Sequence, residues 1–145
     1  MKHIKLYSDG ACRGNPGPGG YGTILVFGEM EREFSDGEAH TTNNRMELMG
    51  VIIGLEALNE PCRVDVYTDS KYVVDAVTKG WAKGWRQRSW IKADKKPALN
   101  SDLWERLLNL IDGHQTAFHW VKGHAGHVYN ERCDVLATKK AYEYR

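Results

Sequence analysis

Apolar and polar residues alternate along residues 3–9, where the sequence reads HIKLYSD. A period of two places successive side chains on opposite faces of a sheet, so this pattern predicts a strand. The runs TILVFG (23–28) and MEREFSDGEA (30–39) meet near Gly28 and predict an antiparallel hairpin. Between them and the first strand, GNPGPGGYG (14–22) holds five glycines and two prolines, which predicts a turn.

A long helix is predicted after the sequence TTNN, whose Thr and Asn side chains are suited to capping. Apolar side chains then recur at helical spacing, at Leu48, Ile52, Leu55 and Leu58. Pro61 is predicted to stop this helix, because proline has no backbone N–H to donate.

The second half of the chain alternates between strand and helix patterns. RVDVYTD (63–69) and TAFHWV (116–121) predict strands. Helices are predicted for SKYVVDAVTK, SDLWERLLNLID and NERCDVLATKKAYEY, with Ser70, Ser101 and Asn130 as their caps.

A hairpin followed by alternating strands and helices predicts an α/β fold of mixed (α+β) character, in which helices cover a mixed sheet. The length of 145 residues predicts a single domain, residues 1–145. If the first and fourth strands are parallel neighbours joined by a right-handed crossover, Asp9 and Asp69 end adjacent strands. Ligands of open α/β sheets bind at such strand ends.

The composition, with 41% hydrophobic and 27% charged residues, indicates a folded globular protein. Three widely spaced cysteines without a CxxC pair argue against a disulfide framework and favour a reducing cytoplasm. The first ten residues contain no apolar signal segment, and no apolar run approaches the roughly 18 residues of a membrane-spanning helix. We therefore expect a cytoplasmic protein that does not cross a membrane.

The net charge is only +1, but the charge is unevenly distributed. The basic segment, residues 79–96, holds seven Lys and Arg against one Asp, while the rest of the chain has an excess of acid. Such a segment is expected to attract polyanions.

Four carboxylates stand out from this background. Asp9 and Asp69 lie in the similar phrases LYSDG and VYTDS, and Glu47 and Asp134 have no Lys or Arg three or four positions away on their helices. Carboxylates that converge raise one another's pKa unless a cation neutralises them. Oxygen donors favour Mg²⁺, with Mn²⁺ as a substitute, and two such ions can assist phosphoryl displacement. An acidic cluster beside a basic segment therefore points to a nuclease.

The chain also contains four longer motifs, in the order YSDGACRGNPGPGGYG, TTNNRMEL, VYTDSKYV and WVKGHAGHVYNERCDVLA. Together they closely resemble bacterial type-1 ribonuclease H over nearly the whole chain. The resemblance implies a ribonuclease H-like fold, with a five-stranded mixed sheet, antiparallel first three strands and flanking helices. It also implies a monomeric endonuclease that uses two metal ions to cut the RNA strand of RNA–DNA hybrids, leaving a 5′-phosphate and a 3′-hydroxyl.

The resemblance implies roles for individual residues. The metal-binding catalytic carboxylates would be Asp9, Glu47, Asp69 and Asp134, and His124 would be a mobile histidine that moves a proton or assists product release. Contacts to the hybrid's minor groove and to a phosphate of its DNA strand are implied for Cys12, Asn15, Thr42, Asn43 and Asn44. Further hybrid contacts are implied for Lys71 and, in a segment that resembles the family's protruding handle, for Trp81, Lys83, Trp85, Arg86 and Arg88.

Two positions depart from the pattern of the family. Val26 stands where several relatives have a basic residue near the phosphate pocket. Lys71 stands where relatives often have Gln, so a group that only donates replaces an amide that donates and accepts. We expect altered affinity for the hybrid or altered sequence tolerance rather than lost chemistry.

Other interpretations stay open at this stage. A strand-end Asp is often only a turn former, and an acid in a first helical turn is favourable by itself. The fold also suits other metal-dependent nucleases, of resolvase or integrase type, and a non-catalytic hybrid-binding module. A hydrolase using Cys133 or Ser8 lacks a convincing base. A zinc site formed by His124, His127 and Cys133 is a further alternative.

Overall fold

The computed structural model describes residues 1–122 and 127–144. A five-stranded sheet has the strand order β3-β2-β1-β4-β5. The strands are β1 (His3–Cys12), β2 (Gly17–Phe27), β3 (Met30–Thr41), β4 (Arg63–Thr68) and β5 (Gln115–Trp120). The helices are α1 (Asn43–Glu56), α2 (Lys71–Thr78), α3 (Trp81–Gln87), α4 (Ser101–Asp112) and α5 (Val128–Glu143). This order confirms the predicted fold class, and no helix in the described ranges is long and apolar enough to span a membrane.

Strand β1 lies at the centre of the sheet, antiparallel to β2 and parallel to β4. The parallel register aligns Leu6 with Val66, and both side chains are fully buried. They belong to the core formed under α1, which connects β3 to β4 and crosses the sheet. The prediction that β1 and β4 are parallel neighbours is confirmed. The prediction that Asp9 ends its strand is wrong, because β1 continues along β2 to Cys12. The pairing of β1 with β4 stops at Tyr7, however, and Asp69 directly follows β4, so both aspartates lie just beyond the paired part of these two strands.

Helix α1 begins as predicted and ends earlier than predicted. The Thr42 hydroxyl caps it by accepting a hydrogen bond from the Arg45 N–H at 3.3 Å. Its last helical residue is Glu56, so the prediction that Pro61 stops it is wrong. The helix tightens before the proline, because the Leu58 N–H bonds to the carbonyl of Leu55 three residues back.

The glycine-rich run is a turn only over residues 13–16, and Gly17–Gly22 begin strand β2. The prediction of a turn over the whole run is therefore wrong. Helix α5 packs directly on this strand: a Cβ at Gly20 would lie 2.5 Å from the Ala137 carbonyl oxygen, and one at Gly22 would lie 2.5 Å from that of Cys133. Gly20 and Gly22 are therefore needed because a side chain would overlap α5, and not because the chain turns at these positions.

Two predicted caps differ in the structure, and one is confirmed. Ser70 caps α2 by accepting from the Val73 N–H at 3.2 Å. Ser101 is the first residue of α4, and the cap position belongs to Asn100. Asn130 lies inside the first turn of α5, fully buried, where its amide donates to the Tyr67 carbonyl at 3.1 Å. The Asn130 side chain therefore joins α5 to β4 instead of capping the helix.

Replacing Gly22 with alanine is expected to lower the free energy of unfolding by about 1–3 kcal/mol, because the methyl group would overlap the backbone of α5. The matched control is Gly113→Ala, at the exposed end of α4, where the nearest atom is an ordinary 3.5 Å away. The control is expected to change stability by less than about 0.5 kcal/mol. Urea unfolding of both variants measures the difference, and equal stabilities would contradict this account of the glycine.

Candidate active site

Three carboxylates from three elements meet at the edge of the sheet. Asp9 from β1, Glu47 from α1 and Asp69 from the end of β4 each bring an oxygen within 4.8 Å of the others. Asp9 and Glu47 are 3% and 4% exposed, and Asp69 is half-buried. The structure thus brings together three of the four carboxylates that the sequence singles out.

Gly10 allows α1 to approach β1 closely enough to form this cluster. Its backbone N–H lies 2.9 Å from Asp9 Oδ1 and 2.9 Å from Glu47 Oε1, so it donates toward both carboxylates. A Cβ at Gly10 would lie 2.5 Å from the backbone nitrogen of Glu47. Any larger residue would therefore push α1 away and separate the two acids.

The segment that carries Asp69 is fixed by side-chain hydrogen bonds. The Thr68 hydroxyl accepts from the Ser70 N–H at 3.1 Å and donates to Glu47 Oε2 at 3.4 Å. On the other side, the indole N–H of Trp120 donates to the Asp69 carbonyl oxygen at 3.1 Å. These contacts connect the end of β4 to both α1 and β5.

Burial and mutual repulsion set the electrostatics of the cluster. Burial, followed by the charge of Asp69, raises the pKa of Asp9 from 3.8 to about 8. Burial, followed by the charges of Asp9 and Asp69, raises the pKa of Glu47 well above its ordinary value. The hydrogen bond from the Gly10 N–H opposes both shifts. A bound cation would relieve this repulsion, and a set of carboxylate oxygens fits a hard divalent ion.

Asp134 reaches the same cleft from α5. It is half-buried and lines the cleft together with the other three carboxylates, although it lies outside the group joined within 4.8 Å. Its charge contributes to the raised pKa of Asp9. His124, the predicted mobile histidine, lies outside the described residues.

Several predicted hybrid contacts line the rim of the cleft. Asn43 and Asn44, in the first turn of α1, are exposed there, and so is Lys71 at the start of α2. A nucleic acid that approaches the carboxylates would therefore meet two amides and one ammonium group.

Cys12, Asn15 and Thr42 lie where the glycine-rich turn meets the start of α1. The Asn15 side-chain oxygen accepts from the Asn43 N–H at 2.8 Å, and the sulfur of Cys12 lies 3.4 Å from the Thr41 carbonyl oxygen. The Thr42 hydroxyl is engaged as the cap of α1. Asn15 and Cys12 thus both contact the backbone of the segment that leads into α1.

The two tryptophans of α3 have different environments. Trp85 is half-buried and packs edge-on against Trp104, with ring centroids 6.2 Å apart. Trp81 is 45% exposed, and the ammonium of Lys79 lies 5.3 Å from its ring centroid. Packing against a neighbouring helix therefore explains Trp85 but not Trp81.

The charges of the basic segment are only partly engaged within the protein. Arg86 pairs with Asp112 at 3.2 Å, and Arg88 donates to the Ile91 carbonyl at 3.3 Å while remaining exposed. Lys83 is exposed as well. The segment therefore presents positive charge to solvent at one side of the sheet.

The sequence reasoning missed three residues that contact the carboxylates or their backbone, Gly10, Thr68 and Trp120. Gly10 and Thr68 stand beside the two aspartates in the phrases SDG and TDS, and that adjacency was the available signal. Trp120 carried a weaker signal, as a large aromatic residue at the end of an alternating strand.

Comparison with known proteins gives consistent matches. A family model described as RNase H matches residues 1–142. Ribonuclease H of Desulforamulus reducens is 58% identical over 141 residues, covering 97% of this chain and 89% of the relative. Ribonuclease H of Trichodesmium erythraeum is 60% identical over 136 residues, covering 94% and 87%.

Among solved structures, that of LC9-RNase H1, a type 1 RNase H with the type 2 active-site motif, is similar with a TM-score of 0.87 and 33% identity. The similarity covers 100% of this chain and 74% of that one. The cleft with its three clustered carboxylates therefore occurs in a chain whose sequence and fold both match one family. The chain belongs to the RNase H family.

Proposed function

We propose that this protein hydrolyses the RNA strand of RNA–DNA hybrids at the cleft formed by β1, α1, β4 and α5. One observation carries the proposal: in a member of the RNase H family, Asp9, Glu47 and Asp69 converge within 4.8 Å at a sheet edge. Such a cluster is unfavourable for the fold alone, since it keeps buried carboxylates close together.

The proposed cofactor is Mg²⁺, with Mn²⁺ as a substitute. Asp9, Glu47 and Asp69 would hold it, with Asp134 completing the set from α5. Carboxylate oxygens are the donors that hard divalent ions prefer. When bound, such ions lower the pKa of water and neutralise charge on the phosphate that is attacked.

The residues around the carboxylates have separate proposed tasks. The Gly10 N–H and the Thr68 hydroxyl orient Glu47, which limits its movement when a cation enters. Asn43 and Asn44, which line the cleft, would contact the wide, shallow minor groove of an A-like duplex, where short amides reach 2′-hydroxyl groups. His124 stays a predicted proton carrier.

Phosphate recognition is proposed for two regions beside the cleft. One is formed by Asn15, Thr42 and Cys12 near the start of α1. The expectation that Val26 weakens this pocket is wrong, because Val26 pairs with Lys5 and Glu31 near the end of β2, whereas Gly17 at the start of β2 pairs with Thr41. The other is the basic segment, where exposed Lys83 and Arg88 would contact the phosphate backbone.

A non-catalytic hybrid-binding module is the main alternative of a different class. The carboxylate cluster disfavours it, because negative charge beside a phosphate weakens binding and gives nothing in return without a cation. A nuclease of the same fold with another substrate is the alternative within the enzyme class.

We further propose that the protein acts as a cytoplasmic monomer. The cysteines Cys12, Cys62 and Cys133 are free thiols, which suits a reducing compartment. Light scattering on the purified protein measures the oligomeric state, and a stable dimer would contradict this part of the proposal.

The deciding experiment incubates the protein with labelled RNA–DNA hybrid, RNA–RNA and DNA–DNA duplexes, with and without Mg²⁺. Cleavage is expected only in the RNA strand of the hybrid, only with metal, and with 5′-phosphate ends. Equal cleavage of DNA–DNA would favour another nuclease of this fold, and binding without cleavage under all conditions would favour the binding module.

Asp9→Asn and Asp69→Asn are each expected to lower the rate of hybrid cleavage by roughly 10²-fold or more, because each removes a charged ligand. Hybrid binding in metal-free buffer is expected to persist, since each change removes negative charge beside phosphate. Glu29→Gln, in the exposed turn between β2 and β3, removes the same charge away from the cleft and is expected to keep full activity. Full activity in either Asp variant would refute the assignment.

The stability of the metal-free protein is expected to fall as pH rises. The pKa of Asp9 is about 8 in the folded state against an ordinary 3.8, so the folded protein holds a proton that the unfolded chain releases between these values. The free energy of unfolding therefore decreases from about pH 4 to pH 8. Mg²⁺ is expected to raise the melting temperature most at the upper end of this range.

Asp9→Asn provides the control for this pH dependence, because an amide does not titrate. Its metal-free melting temperature is expected to vary less with pH and to exceed that of the parent protein near pH 8. Melting curves across this pH range, with and without Mg²⁺, measure both effects. A parent protein whose stability near pH 8 equals that near pH 5 would argue against a strained cluster.

A further inference from the structure

Trp120 ends strand β5 beside the carboxylate cleft and remains 45% exposed. Its backbone pairs with Thr68 in the parallel β4–β5 register, and the following Val121 N–H donates to the Thr68 carbonyl at 2.9 Å. The tryptophan is therefore placed by the sheet itself, directly next to the segment that carries Asp69.

The indole ring makes a polar contact with that segment. Its N–H donates to the carbonyl oxygen of Asp69 at 3.1 Å, at the position where β4 has ended and the chain bends toward α2. A hydrogen bond at this point restricts the rotation of the peptide that follows Asp69. Restricting the backbone also restricts the direction in which the Asp69 carboxylate extends.

The same ring also holds a cation. The ammonium of Lys71 lies 5.0 Å from the centroid of the Trp120 ring, which is within the range of a cation–π contact. Lys71 lines the cleft together with the carboxylates. A lysine held over a ring has already lost part of its side-chain conformational entropy before a ligand binds. Binding a ligand therefore costs less additional entropy.

We propose that Trp120 is a positioning residue of the cleft with two tasks. Its indole N–H fixes the backbone of Asp69, and its ring holds the Lys71 ammonium in place to bind a phosphate of the hybrid. The inference rests on the proposed function, since it assigns the metal and the phosphate to this cleft. It assigns Trp120 no direct part in the reaction.

A second pair in the protein provides a matched control. Trp81 is also 45% exposed, and its ring holds the ammonium of Lys79 at 5.3 Å. This pair lies at the start of α3, in the basic segment, and does not line the carboxylate cleft. Substitutions at Trp81 therefore reproduce the loss of an exposed, lysine-holding indole without disturbing Asp69.

The first test measures Mn²⁺ binding by calorimetry, without nucleic acid, for the full chain and for Trp120→Phe. Phenylalanine keeps a ring but removes the N–H donor, so the Asp69 backbone is less restricted. The Mn²⁺ affinity is expected to fall about tenfold, and that of Trp81→Phe is expected to stay within about twofold of the parent protein. An unchanged Mn²⁺ affinity in Trp120→Phe would overturn the inference.

The second test measures hybrid binding in metal-free buffer for Trp120→Leu, Lys71→Gln and the double variant, at several salt concentrations. Each single change is expected to weaken binding about three- to tenfold and to reduce the salt slope by about one, as for one lost phosphate contact. The double variant is expected to bind within about twofold of the weaker single variant, because both changes remove one unit. Fully multiplicative effects would refute the coupling.

Folding and function controls separate the possible failures. Melting curves show whether each variant is folded. If Trp120→Leu is unfolded, Trp120→Gln replaces it in the comparison of single and double variants. A parent protein that cleaves hybrid with Mg²⁺ while both tests show no effect would overturn this inference alone. A parent protein that binds Mn²⁺ but cleaves no hybrid would overturn the proposed function.

Discussion

Repulsion among Asp9, Glu47 and Asp69 is the constraint on which the rest of the structure depends. Buried carboxylates this close together oppose folding, as the pKa of about 8 at Asp9 indicates. The fold must therefore hold them by other means. Fully buried aliphatic residues of β1, β4 and α1, such as Leu6 and Val66, supply the opposing free energy in the core. The free energy of apolar burial in the core thus offsets the repulsion among the carboxylates.

Close approach of backbones is the second requirement, and glycine meets it twice. At Gly10, α1 comes within reach of β1, so that one N–H can contact both Asp9 and Glu47. At Gly20 and Gly22, α5 settles onto β2, which brings Asp134 to the cleft. In both places a helix that carries a carboxylate packs closely against a strand at a glycine, where no side chain separates the two backbones. The glycine-rich run of the sequence is therefore part of how the cleft is built.

The sequence was sufficient for the order of elements, since periods of two and of 3.6 residues distinguish strands from helices locally. It also predicted that β1 and β4 are parallel neighbours, because a right-handed crossover allows few arrangements. It did not show that β1 continues past Asp9 to Cys12 along β2. It was misleading at Gly17–Gly22 and at Asn130, and it did not indicate Trp120. Each of these depends on a partner far along the chain, namely α5, the Tyr67 carbonyl and the Asp69 backbone. Local patterns carry no information about such distant contacts.

The acidic residues of the cleft come from β1, α1, the end of β4 and α5, so they are far apart along the chain. Contacts of such large sequence separation cost more loop-closure entropy than local contacts do. During synthesis the strands and α1 can associate while α5 is still missing, and then Asp134 is absent and the glycines of β2 lack their cover. On the proposed assignment, a growing chain has no complete metal site. On that assignment, hybrid cleavage would require α5 to be docked on the sheet.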